Sequence, residues 1–172
     1  MPLEFVKREE WTKFREEKPD KILHPAYCVW YTVTCTRPCN DGESCIQRTK
    51  GLLREHRLDF KRKDIAYNFL IGDDGKVIEA RGWFDAPDLP VQFLSLKHQS
   101  IYIAFIGWYK YEEMPKELYA IGEELIKYGI AKNYILPKFI LNDLLTPFPQ
   151  KLRLEKGVFW EGFKNDNTVY EI

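Results

Sequence analysis

The side chains able to do chemistry are few and spread along the chain. Three histidines, His24, His56 and His98, and four cysteines, Cys28, Cys35, Cys39 and Cys45, supply the imidazole and thiol groups. A zinc centre draws on such donors at close ligand spacing, and no histidine stands near the cysteines in that way. Disulfide chemistry fits the cysteines better. Cys39 and Cys45 flank a polar loop, Asn-Asp-Gly-Glu-Ser, short enough to be closed by a bond between them. Such a bond would place the chain in an oxidising compartment; the alternative is four reduced thiols in a cytosolic protein. Cys28 reads as a buried thiol in an apolar strand, and Cys35 as either free or paired.

These groups need a framework. The clearest local unit runs from Tyr67 to Trp83. Tyr67 to Ile71 is an apolar strand, Gly72-Asp-Asp-Gly75 a tight turn, and Lys76 to Arg81 the returning strand. Alternation puts Val77, Glu79 and Arg81 on one face and Lys76, Ile78 and Ala80 on the other. Upstream, the charged stretch from Glu4 to Pro25 wraps the domain, and Ala26 to Val33 is a buried central strand. Ile46 to Phe60 is a helix with Ile46, Leu52, Leu53 and Phe60 inward. His56 falls at the edge of that stripe, as a solvated residue or as a contact facing a groove.

Downstream, Phe84 to Gln99 contains Pro87 and Pro90 and reads as a long loop, a length that often serves function. Ser100 to Ile106 is another buried strand. Trp108, Tyr109 and Tyr111 follow as an aromatic cluster, either satellite core or recognition plate. Pro115 opens a helix running to about Lys132. Tyr134 to Leu136 is a short strand ended by Pro137, Leu152 to Phe163 a short helix with Trp160 docked, and Asn165 to Ile172 a tail. This order predicts an α/β fold, a mixed central sheet flanked by about three helices, in one domain over 1–172 with its core at about 5–163.

Composition narrows the partners. The 26 basic residues balance 26 acidic ones, so no net field calls for nucleic acid. No apolar run reaches the ~20 residues that span a bilayer. No secretory leader is evident after Met1, although a cut-out domain could have lost one. The 15% aromatic content suits a heavy core or a recognition surface.

Tyr67-Asn-Phe-Leu-Ile-Gly-Asp-Asp-Gly75 followed by Glu79-Ala-Arg-Gly-Trp83 resembles the peptidoglycan recognition protein family, in its non-catalytic, insect-type receptor and regulator branch. That family is similar to bacteriophage-type zinc N-acetylmuramoyl-L-alanine amidases. Cys39 and Cys45 before a helix, Ser100-Ile, Phe105-Ile-Gly107 and Tyr128-Gly-Ile130 fall in the family's order, and His56 stands eleven residues before Tyr67. The resemblance implies a docking groove on one side of the sheet.

Catalytic members of this family hold zinc with two histidines and a cysteine, and a tyrosine assists. Zinc with an open position lowers the pKa of bound water to about 7, and the hydroxide attacks the amide to L-alanine. Here the ligand positions correspond to Thr32 (or Tyr31), Phe139, and Pro147 (or Phe148), and only Tyr67 matches the tyrosine. The resemblance therefore implies no catalysis, no metal and no cofactor. Members preferring diaminopimelate-type peptidoglycan use a Gly-Trp pair and the arginine of the hairpin. Arg81 keeps the arginine, but Lys61 and Arg62 replace the pair, and the following loop is about three residues longer, with Pro87, Asp88, Leu89 and Pro90.

The ligand-binding candidates are His56, Tyr67, Arg81 and Trp83. For Arg81 the bland alternative is an ion pair with Glu79 or a nearby acid. Three functions follow from the resemblance. The first is an extracellular, secreted or membrane-ectodomain immune receptor or regulator that binds peptidoglycan weakly or not at all. It would pair with another recognition domain in a homo- or heterodimer, as co-receptor or decoy. The second is a non-catalytic sensor whose partners include peptidoglycan fragments, bound directly. The third and most remote is an amidase.

Overall fold

In the computed structural model, residues 2–109 and 113–144 are described, together with the backbone of 151–153, 159–161 and 168–171. The strands are β1 (Phe5–Val6), β2 (Ala26–Val33), β3 (Phe69–Ile71), β4 (Val77–Glu79), β5 (Ser100–Phe105), β6 (Ile135–Asp143), β7 (Lys151–Arg153), β8 (Phe159–Glu161) and β9 (Thr168–Glu171). The helices are α1 (Arg8–Trp11), α2 (Gly42–Leu58) and α3 (Lys116–Ala131), with a 3-10 segment over Val91–Gln99. A mixed sheet in the order β1-β4-β3-β5-β2-β6-β9 carries the fold, and β7 pairs with β8 apart from it.

The sheet separates two cores. On the α3 side lie Val29, Tyr31, Phe69, Ile103, Phe105, Leu125 and Ile126. On the α2 side lie Cys28, Trp30, Leu52, Leu53, Leu70, Tyr102 and Ala104. β5, and β2 from Cys28 onward, alternate between these layers, which is why both read as continuous apolar runs.

Helix α2 starts earlier than its apolar pattern predicts, at a capping box. The Ser44 amide donates to the Asp41 carboxylate at 2.7 Å, and the Asp41 amide donates to Ser44 Oγ at 3.2 Å. Its buried stripe is Cys45, Thr49, Leu52, Leu53 and His56. Phe60 lies beyond the helix and is exposed. Cys45 and Thr49 extend the buried face beyond the predicted stripe, and His56 lies on that face and not at its edge.

Four sequence expectations change. The segment expected as an unstructured loop ends in the 3-10 turns of Val91–Gln99. The strand expected to stop at Pro137 continues to Asp143, because the pairing with β2 jumps from Ala26↔Ile135 to Cys28↔Ile140. Leu136 and Pro137 pair with neither β2 nor β9 and are exposed, so Pro137 breaks no required hydrogen bond. Where a last helix was expected over 152–163, the described backbone forms strands β7 and β8, paired antiparallel, and the expected tail contributes β9. The docking of Trp160 and the position of Tyr111 lie outside the described side chains.

The N-terminal segment is strapped to the β3–β4 hairpin. Arg8 pairs with Asp64 at 2.9 Å, donates to the Ala80 carbonyl at 2.8 Å, and is 1% exposed. Trp11 Nε1 donates to the Glu79 carbonyl at 2.7 Å. Cys39 and Cys45 form a disulfide; Cys28 is a buried thiol and Cys35 an exposed one.

Candidate functional site

On the α2 face of the sheet, His56 and Tyr67 come together. Their rings lie 5.4 Å apart, edge to face, and Tyr67 meets Tyr102 at 5.2 Å. The backbone fixes the histidine: the Ala66 amide donates to His56 Nδ1 at 3.0 Å. A neutral ring accepting at Nδ1 carries its proton on Nε2, so His56 presents a donor. Burial, with the Arg62 charge adding, depresses its pKa to about 4. Burial also pushes the Tyr67 hydroxyl well above the usual tyrosine range, and that of Tyr102 up to about 12. At neutral pH this corner is an uncharged set of donors.

Thr32 lies on the same face and is hydrogen-bonded to the Tyr102 hydroxyl. Phe139 does not join it. Its side chain is fully buried in the core on the α3 side. The β6 residues that share the face of Cys28 and Trp30 are Ile140 and Asn142. This corrects the placement of Phe139 beside Thr32: the jump in register, invisible in the sequence, decides which β6 residues face the groove. Pro147 lies outside the described residues. Among the described residues, no three of His, Cys, Asp or Glu are gathered as a metal-binding group. A threonine hydroxyl already bonded to a tyrosine and a buried phenylalanine do not fit a zinc centre, which needs imidazole or thiolate donors.

Arg81 sits lower, beneath a trough between the N-terminal segment and residues 60–63 and 86–97. Its Nε donates to the Ile65 carbonyl at 2.6 Å and its Nη1 to the Ala86 carbonyl at 3.0 Å. Glu16 reaches Nη1 at 3.6 Å, with the Arg81 side chain 8% exposed and that of Glu16 13%. The acid is therefore Glu16 and not Glu79. Glu16 is a residue the sequence reading missed, since nothing in a charged N-terminal stretch marks one carboxylate as the partner of an arginine 65 positions away. Arg62 is likewise engaged, with Asp88 at 2.6 Å.

Trp83 belongs elsewhere. It packs between Phe69, at 4.6 Å, and Tyr134, at 5.1 Å, in the core on the α3 side. Gly129 makes room for it: a Cβ there would lie 2.9 Å from the indole. The structure thus unites His56 and Tyr67, seats Arg81 at the neighbouring trough, and places Trp83 behind the sheet.

A mixed sheet with α2 and the hairpin bordering an open face defines an amidase-type α/β domain. The profile of the N-acetylmuramoyl-L-alanine amidase family matches residues 22–143. Mouse peptidoglycan recognition protein 1 is 30% identical over 76% of this chain and 70% of its own length. Drosophila melanogaster peptidoglycan-recognition protein LC is 31% identical over 95% of this chain but only 31% of its own length. The ectodomain of the Drosophila transmembrane receptor PGRP-LCa superposes with a TM-score of 0.75 at 25% identity, covering 81% of this chain and 83% of that one. The chain belongs to the peptidoglycan recognition protein family.

Proposed function

We propose that this chain is a non-catalytic recognition domain of innate immunity, extracellular as a secreted protein or an ectodomain. In this reading it binds peptidoglycan weakly or not at all and acts by associating with another recognition domain, in a homo- or heterodimer. The observation that carries the reading is the engagement of Arg81. The guanidinium that would grip a ligand carboxylate as a fork already holds two backbone carbonyls and Glu16. Thr32 on the α2 face, with Phe139 turned into the core on the other side of the sheet, supports the absence of amidase chemistry, and the Cys39–Cys45 disulfide supports an oxidising compartment.

Calorimetry with diaminopimelate-type and lysine-type muropeptides tests the reading. Dissociation constants weaker than about 1 mM are expected for both, which corresponds to about −4 kcal/mol. A micromolar constant for either would replace it with the second reading, a direct sensor of diaminopimelate-type fragments. That reading draws on the donor corner of His56 and Tyr67. Sedimentation of the chain alone and mixed with a receptor-type recognition domain tests the association.

A further inference from the structure

Beside Arg81 lies a trough of about 360 Å³ between the N-terminal segment, the connector 60–63 and the segment 86–97. Its charges are unbalanced. Three carboxylates line it, and each is matched: Glu16 by Arg81, Asp20 by Lys97 at 2.6 Å, Asp88 by Arg62 at 2.6 Å. Three further cations line the same space, Lys18, Lys61 and Lys63, and none forms an ion pair with a described residue. Arg62 Nε, shielded from solvent, donates to no described residue. The chain as a whole is neutral, so this excess is local.

Lys61 adds a second argument. Its φ of 56° is left-handed, a conformation that costs a residue with a Cβ about 1 kcal/mol relative to glycine. Lys61 lines the trough and holds this conformation at the expense of local stability. Phe60, exposed, and Leu94 give the trough an apolar wall.

We infer that this trough is a binding site for a multiply charged phosphate group, free or carried on a sugar-sized body. A single carboxylate would neutralise one ammonium and leave two crowded together, whereas a phosphate dianion or diphosphate accepts from several at once. The volume suits a monosaccharide phosphate, whose apolar ring face the Phe60 wall would cover. The anion is held by the lysines and not by the engaged Arg81, although Arg81 and Glu16 line the same trough.

The test is calorimetry of the whole chain at 50 mM salt with inorganic pyrophosphate, glucose 1-phosphate and uncharged glucose. Dissociation constants on the order of 0.1 mM are expected for one or both phosphates, weakening as salt screens the site, and none for glucose. Tighter binding of glucose 1-phosphate assigns the sugar-borne form; tighter binding of pyrophosphate assigns the free one. Lys61→Gly should raise the melting temperature by relieving the backbone, yet weaken the anion about tenfold. Lys18→Ala and Lys63→Ala, at exposed positions, should weaken it with no change in melting temperature. Failure of both phosphates to bind below 1 mM, or binding unchanged in all three variants, overturns the inference. Because no muropeptide is present, that failure leaves the proposed function untouched.

Discussion

Arg81 and Glu16 face each other at 3.6 Å with both side chains largely withdrawn from water. The carboxylate comes from the N-terminal segment, which Arg8 and Trp11 hold against the hairpin. Under the proposed function, it holds the edge of the guanidinium that a ligand carboxylate would need. Glu16→Ala should therefore free one edge of the guanidinium and tighten binding of diaminopimelate-type muropeptide about tenfold, read by calorimetry. The same change should cost about 1–3 kcal/mol of stability, below the cost of a fully broken buried pair, because the Ile65 and Ala86 carbonyls still hold the arginine. An unchanged muropeptide affinity would show that Glu16 does not guard the site.

His56 gives the fold a pH dependence of definite sign. Its folded pKa of about 4 lies below the ordinary histidine value of 6.5. Between those values the unfolded chain binds the proton and the folded chain does not. Stability is then complete above about pH 6.5 and declines as the pH falls toward 4. His56→Gln, with an oxygen able to accept from the Ala66 amide, should flatten this segment of the melting-temperature profile. A slope unchanged in the variant would assign the effect to other groups.

What the sequence made legible follows from the range of the interactions. Strands β2 and β5, the Gly72–Gly75 turn, the extent of α3 and the Cys39–Cys45 bridge all rest on local patterns, and each was found where those patterns put it. The pairing of β6 with β2 rests on a register jump between segments far apart in the chain, so neither the passage through Pro137 nor the inward turn of Phe139 could be read. The site divides the same way. The meeting of His56 and Tyr67 was legible because one helix and the segment leading into β3 bring them together. Glu16 on Arg81, and Trp83 behind the sheet, depend on how distant segments cross.

The disulfide and the hairpin turn support each other through Gly72. A Cβ at that position would lie 2.6 Å from both Cys39 Sγ and Cys45 Sγ. Gly72→Ala should cost about 1–3 kcal/mol by overpacking. Replacing both cysteines by alanine should cost about 2 kcal/mol, from the loop of sequence separation 6 that the bridge closes. The two changes should not add: with the sulfurs gone, the alanine at 72 has room, and its cost should fall by more than half. Denaturant unfolding of the four proteins in the cycle measures this, and additive losses would show that the turn and the bridge are independent.

The last prediction concerns Tyr67, whose hydroxyl makes no hydrogen bond to a described residue and stays protonated far above neutral pH. In a zinc amidase such a hydroxyl would stabilise the oxyanion formed when hydroxide attacks the amide. That role needs a metal held by three protein ligands, and here Thr32 offers a neutral hydroxyl bonded to Tyr102 while Phe139 turns away. Elemental analysis of the protein after zinc exposure and dialysis should find well under one metal per chain. Thr32→His alone should not change this, since one imidazole lacks the partners that make zinc sites tight. Tyr67→Phe should leave stability within about 1 kcal/mol, because it removes a hydroxyl without orphaning a partner. Muropeptide hydrolysis by the wild type that disappears in Tyr67→Phe would reverse the assignment and make the tyrosine a catalytic residue.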